Sequence, residues 1–195
     1  APRTGETALD LCAAPGGKTL QLAAAGAQVV AVDRSDARLN RLRENLARAG
    51  LAAEAVAAAA EDWDDPRRFD AVLLDAPCTS TGTFRRNPEV LWGTRPGEIA
   101  KLAAVQSRLL DAAADRVGGG GRLVYCVCSL EPEEGEGQVA AFLARRPDFR
   151  LGPVIPGEAG APLEAARSGA LRLLPSMWAE RGGMDGFFIA LLTRQ

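Results

Sequence analysis

Apolar runs of strand length alternate along this chain with stretches in which apolar positions recur every third or fourth residue. The first run, TALDLC at 7–12, passes through AAPGGK into TLQLAAAG, a helix pattern closed by Gly26. The same order follows again: AQVVAVD predicts a buried strand, and SDARLNRLRENLARAG predicts a helix capped by Ser35, with Leu39, Leu42 and Leu46 on one face and a stop at Gly50. An Ala-rich strand near 53–60 and FDAVLLD at 69–75 come next, then a long loop reaching residue 97. EIAKLAAVQSRLLDAAADRV predicts a helix, GRLVYCVCS a strand, GEGQVAAFLARR a helix and DGFFIALLT a last strand. VGGGG is read as a connector, and Pro153, Pro156, Gly157, Gly160 and Pro162 predict a flexible loop over 152–170.

Strands alternating with helices imply an α/β fold, a mostly parallel, doubly wound sheet with helices on both faces. Such sheets bind ligands beyond the carboxyl ends of their strands, where the strand order reverses. The loop CAAPGGKT lies at such an end. Its spacing is neither G-x-G-x-x-G nor a Walker motif, which needs glycine where Cys12 stands, so a phosphate-gripping loop is disfavoured. Asp33 ends the second predicted strand, where a carboxylate either accepts from two ribose hydroxyls or simply meets solvent. Asp62 follows the third strand and either accepts from an adenine amino group or belongs to an exposed acidic stretch, EDWDD.

Composition narrows the chemistry. At 195 residues the chain fits one domain whose core needs no disulfide staples. Its 47% hydrophobic and 25% charged residues include no uncharged apolar run of membrane-spanning length, which predicts a soluble globular protein. The start APRTGETALD lacks a secretory signature, so the four cysteines are expected as thiols in a reducing cytoplasm. A net charge of -2 is a poor grip on nucleic acid by charge alone. With no histidine, acid and base work falls to Asp, Glu, Cys, Lys or Tyr.

Cys126 and Cys128 admit four readings: core packing, half a metal site, a redox pair, or a nucleophile. A zinc site would want paired C-x-x-C spacing, which is missing, and nothing nearby suggests an exposed, reactive dithiol. In a regular strand the two share a face, with Cys126 one step deeper and expected to pack. Cys12 is expected to be inert core.

LDLCAAPGGKT, FDAVLLDAPCTSTGTFRRNPEVLW, LVYCVCSLEPEEGEG and DGFFIALL resemble, in order and spacing, the motifs of the RsmB/Sun-type RNA cytosine carbon-5 methyltransferases. The resemblance runs from residue 7 nearly to the end. It implies a Rossmann-like methyltransferase fold with an antiparallel last strand, and S-adenosylmethionine as cofactor. By this resemblance the cofactor contacts are Cys12, Ala13, Ala14, Pro15, Gly16, Gly17, Lys18, Asp33, Arg38, Asp62 and Asp75. Cys128 is implied as the nucleophile that adds to carbon 6 of cytosine, making carbon 5 an enamine carbon able to take a methyl group. Cys78 is then assigned proton removal or release, and Asp75 the cytosine edge; the base that takes the carbon 5 proton is left unassigned.

Asp75 and Cys78 sit at the end of the fourth strand and Cys128 at the end of the fifth, so all three are expected at one pocket. Arg85 and Arg86 are candidates for phosphates, and Trp92 either stacks a splayed base or packs in the core. Three positions depart from the family pattern: Val127 where Thr is usual, Cys126 where Ser is common, and Gly135 where Asn often stands. Residues 1–195 are expected to form the catalytic domain without the N-terminal RNA-binding modules usual in the family. The protein is expected to act as a cytoplasmic monomer on RNA, ribosomal ahead of transfer, with no metal and no membrane. A cofactor-binding but inactive scaffold is the alternative; a nicotinamide-dependent oxidoreductase is disfavoured by the missing G-x-G-x-x-G.

Overall fold

The computed structural model of the chain describes residues 2–154, 160–167 and 169–195. They divide into two compact units, one of residues 1–75, 109–123 and 194–195, the other of residues 76–108 and 124–193. Nine strands of a mixed, mostly parallel sheet and five α-helices are found among the described residues.

The first unit opens with β1 (Thr7–Leu11), α1 (Gly17–Ala24), β2 (Gln28–Asp33), α2 (Asp36–Ala49), β3 (Glu54–Ala57) and β4 (Phe69–Asp75). β1 pairs in parallel with both β2 and β4, and β2 with β3, so the order β3-β2-β1-β4 reverses beside β1. α2 forms as its pattern predicts: the Ser35 hydroxyl accepts from the Arg38 amide at 3.3 Å, and Gly50 closes the helix at φ +64°. Leu39, Leu42 and Leu46 are buried with Ala13 and Ala31. Each buried leucine contributes roughly 2 kcal/mol relative to exposure.

α1 begins at Gly17, earlier than the expected Thr19, because the first helical residues need no intrahelical partner for their amides. Gly16 stands before it at φ +102°, where a Cβ would come within 2.9 Å of the Leu42 side chain, so only glycine fits the approach of loop to helix.

VGGGG is a correction. β5 runs over Val117–Val127 and therefore includes the segment expected as a connector. A Cβ at Gly121 would lie 3.0 Å from the Phe69 carbonyl oxygen, so the missing side chain lets the neighbouring backbone come close.

The second unit holds the turn after β4, α3 (Val90–Gly93) and most of α4 (Pro96–Asp115), then α5 (Glu136–Arg145), β6 (Phe149–Leu151), β7 (Ala166–Arg167), β8 (Ala170–Leu173) and β9 (Phe187–Arg194). The long loop expected up to residue 97 is shorter than predicted, since a 3-10 turn at Thr81–Thr83 and α3 interrupt it and α4 starts at Pro96. Strand order here is β5-β9-β8-β7, with β6 beside β9. β8 runs antiparallel to β9, pairing Leu171 with Ile189, which gives the sheet its expected antiparallel element. Of the loop expected over 152–170, residues 155–159 and 168 lie outside the described residues. A 3-10 turn at Leu163–Ala165 and β7 occupy another part, with Ala165 packed on Leu171 and Met177. Among the described residues no helix is long and apolar enough to cross a membrane.

Candidate active site

The reversal of strand order beside β1 opens a cavity of about 330 Å³ at the carboxyl ends of β1 and β4. Cys12, Ala13, Ala14, Pro15, Gly17 and Lys18 line it from the β1–α1 loop and the start of α1, and Asp75 from the end of β4. Seven of the expected cofactor residues thus meet around one space. The Lys18 ammonium lies 2.6 Å from an Asp75 carboxylate oxygen, so the cavity presents both signs of charge. Cys12 takes a left-handed backbone, φ +61°, and burial pushes its thiol up to about 12, which suits it to shaping the loop and not to attack.

Four expected residues stand apart from this lining: Gly16, Asp33, Arg38 and Asp62. Asp33 is buried, and its two carboxylate oxygens accept from the Ala14 amide at 3.1 Å and the Ser35 amide at 3.0 Å. It thereby ties the β1–α1 loop to the start of α2. Arg38 reaches the same carboxylate at 3.5 Å and donates to the Ala14 carbonyl. Asp62 is exposed in the turn after β3, where its amide donates to the Ala59 carbonyl.

Two lining residues were not expected, Asp10 and Gln21. Gln21 follows Lys18 by one helical turn, a spacing that marks a shared face. Asp10 is an acidic residue inside an apolar strand, which is itself a signal. One of its oxygens accepts from the Thr19 hydroxyl at 2.6 Å, while the other is buried without a hydrogen-bond partner among the described residues. Burial pushes its carboxyl from 3.8 up to about 7, against the pull of Thr19.

That shift predicts a pH-dependent stability. The native state holds the Asp10 proton more tightly than the unfolded chain does, so this contribution is complete below about pH 4 and is lost as pH rises towards 7. Asp10→Asn carries no such proton. Its stability relative to the wild type is therefore expected to increase by roughly 4 kcal/mol between pH 4 and 8, as read by urea denaturation across that range. Parallel stability curves for the two proteins would sink the argument.

The second unit brings two thiols together. Cys78 lies in the turn after β4 and Cys128 directly after β5, and their sulfurs are 3.5 Å apart. The Ser80 hydroxyl, on a left-handed residue at φ +59°, lies 3.4 Å from the Cys128 sulfur and 3.9 Å from that of Cys78. The hydrogen bond with Cys128, followed by burial, pushes the Cys78 thiol up, so Cys78 keeps its proton. Behind the pair the Gly82 amide donates to the Cys128 carbonyl at 3.0 Å and the Gly186 amide to the Gly82 carbonyl at 2.7 Å. A Cβ on Gly82 would stand 2.1 Å from the Gly186 oxygen, so glycine is required for that stacking of backbones. Cys126 is 2% exposed, in keeping with packing.

Trp92 is 84% exposed on α3, which rules out the core reading. Arg85 donates to the Gly182 carbonyl, and Arg86 pairs with Asp185, its Nε 2.8 Å from a carboxylate oxygen. Among the described residues no group of three or more His, Cys, Asp or Glu side chains is arranged to hold a metal ion.

The family described as 16S rRNA methyltransferase RsmB/F matches residues 1–193. The chain belongs to that family. Ribosomal RNA small subunit methyltransferase B of Vibrio cholerae is 42% identical over 200 residues, which covers all of this chain and 43% of that protein. The RsmB/F chain therefore spans less than half the length of the curated relatives it matches. Among solved structures it is similar to NSun6 of Pyrococcus horikoshii, solved with SFG, at 32% identity and a TM-score of 0.80 over 99% of this chain and 49% of that one. It is also similar to a methyltransferase homologue from the same organism, at 31% identity and a TM-score of 0.79 over 100% of this chain and 63% of that one. The methyltransferase fold expected from the motifs is the fold of these neighbours.

Proposed function

We propose that this RsmB/F chain is the catalytic domain of an enzyme that transfers a methyl group from S-adenosylmethionine to carbon 5 of a cytosine in ribosomal RNA. One observation carries the reading: two half-buried thiols, Cys78 and Cys128, whose sulfurs lie 3.5 Å apart. Core cysteines need no such partner, whereas an attacking thiol and a thiol that assists release do. The two compact units then serve a single domain over 1–195, the first for the cofactor and the second for the thiols.

The cavity fits the cofactor's amino-acid end, which carries an ammonium and a carboxylate. Asp75 matches the first charge and Lys18 the second, the Asp10 carboxyl lines the same space, and Ala13 to Gly17 bring backbone close to the ligand. Asp33 is assigned the ribose hydroxyls through the lone pairs that the Ala14 and Ser35 amides leave open. Arg38 steadies Asp33, and Asp62 is assigned the adenine amino group. Bound S-adenosylmethionine supplies an electrophilic methyl group on a sulfonium.

The Cys128 thiolate adds to carbon 6 of the cytosine, forming an S–C bond and moving an electron pair towards carbon 5. Asp75 hydrogen-bonds the cytosine edge as charge develops on the ring. Carbon 5 takes the methyl group as S-adenosylhomocysteine departs; a base then accepts the carbon 5 proton, the C–H electron pair restores the ring double bond, and the S–C bond breaks with its electron pair going back to Cys128. Cys78, beside that sulfur, is assigned to this release. Trp92 is available to stack an unpaired base, since the target must leave its helix to be reached. The reading places the enzyme in the cytoplasm as a monomer, where thiols stay reduced.

The test is methylation of a 16S ribosomal RNA transcript with S-adenosylmethionine, mapped by bisulfite sequencing, beside a thermal shift with S-adenosylhomocysteine and with NAD. Stabilisation by S-adenosylhomocysteine alone, with 5-methylcytosine at a defined position, is the expected result. Stabilisation with no 5-methylcytosine would favour the inactive scaffold instead.

A further inference from the structure

Glu134 is wholly buried although it sits in the acidic segment Glu131–Glu136. A buried carboxylate is costly unless its oxygens are hydrogen-bonded, so the identity of its donors matters. One oxygen accepts from the Thr79 amide at 3.1 Å and from the Gln106 side-chain amide at 2.9 Å. The other accepts from the Thr79 hydroxyl at 2.5 Å. Gln106, also fully buried, donates from the same nitrogen to the Pro77 carbonyl at 2.9 Å. Its side-chain oxygen has no hydrogen-bond partner among the described residues, so what this amide offers the fold is its donors. Cys78 is therefore gripped on both sides, through Pro77 and through Thr79.

The same group is fixed relative to Cys128. The Ser129 hydroxyl lies 3.2 Å from that of Thr79 and 3.3 Å from that of Thr81. Tyr125, two residues before Val127 on β5, donates its hydroxyl to the Glu134 carbonyl at 2.6 Å. The turn that carries Cys78 and the segment that follows Cys128 are thus one buried polar network.

We infer that Glu134 and Gln106 are positioning residues that hold the Pro77–Cys78–Thr79 turn against Cys128 and so set the rate at which Cys78 releases the methylated base. The inference rests on the roles given above to Cys78 and Cys128. Of the two thiols, adduct formation needs only Cys128, whereas release needs both sulfurs in register, and small misplacements of reacting groups cost up to about 100-fold. Loosening the grip should therefore leave the first step standing and slow the last.

The experiment uses the full-length protein with a 16S ribosomal RNA transcript and labelled S-adenosylmethionine, scoring protein–RNA adduct on denaturing gels against released methylated RNA. Glu134→Gln and Thr79→Val are expected to raise the ratio of adduct to released product on the order of 10–100-fold, with adduct forming at the wild-type rate. Thr79→Ser, which keeps the hydroxyl, should restore the wild-type ratio. Should Glu134→Gln fail to fold, the Thr79 pair decides, because valine matches threonine in shape. An unchanged ratio in Thr79→Val, or adduct and product falling together, overturns the inference. Cys78→Ala in parallel separates this from the reading beneath it: no adduct there means that the assignment of the two thiols has failed.

Discussion

Cys128→Ala is expected to abolish methyl transfer and covalent capture of RNA together, by on the order of 10⁴-fold or more in rate. Carbon 5 of cytosine is a poor nucleophile until a sulfur adds to carbon 6, so removal of that sulfur leaves no slower version of the same route. Cys128→Ser should fare no better, because a hydroxyl in its place is far less ionised and less nucleophilic than a thiol. The cavity assigned to the cofactor is lined by other residues, so S-adenosylhomocysteine should bind both variants as it binds the wild type. Single-turnover methyl transfer, denaturing gels and calorimetry would check the three parts. A Cys128→Ala protein that still forms the adduct would remove Cys128 from the role.

Cys78→Ala should show the opposite pattern, with adduct accumulating while released methylated RNA falls about 10²–10⁴-fold. The protonated Cys78 thiol lies 3.5 Å from the sulfur that must leave, so it can donate towards that sulfur as the S–C bond breaks. Alanine removes the donor while the attacking thiol stays in place. A time course of gel-shifted protein with a catalytic amount of enzyme reads this directly. Failure of Cys78→Ala to trap RNA, together with trapping by Cys128→Ala, would invert the assignment.

Much of the first unit was legible along the chain. Its parallel strands are apolar runs, and α2 carries its cap, its leucine stripe and its terminal glycine within one stretch of sequence. The second unit was less so. β6, β7 and β8 are three, two and four residues long, too short for a period to emerge; the exception within the first unit is the glycine run of β5, which would ordinarily mark a connector and is strand. Trp92 shows the same limit on a single residue: an aromatic beside leucine fits a core as well as a surface, and its exposure is settled only by what packs around α3.

The sequence by itself determined the alternation of strand and helix, the loop at the end of β1 and the residue types able to do cysteine chemistry, because each is written in neighbouring positions. Only the tertiary structure decided which groups meet. Cys78 and Cys128 are 50 residues apart, Thr79 and Glu134 55, and Gln106 and Glu134 28. Burial then decided what those groups are. It turned Glu134 from one of several acidic residues in a row into a wholly enclosed carboxylate, holds Asp10 near neutrality at about 7, and sets Asp33 to bracing the loop. Hydrogen bonding and desolvation depend on distance in space, and local pattern carries no measure of that.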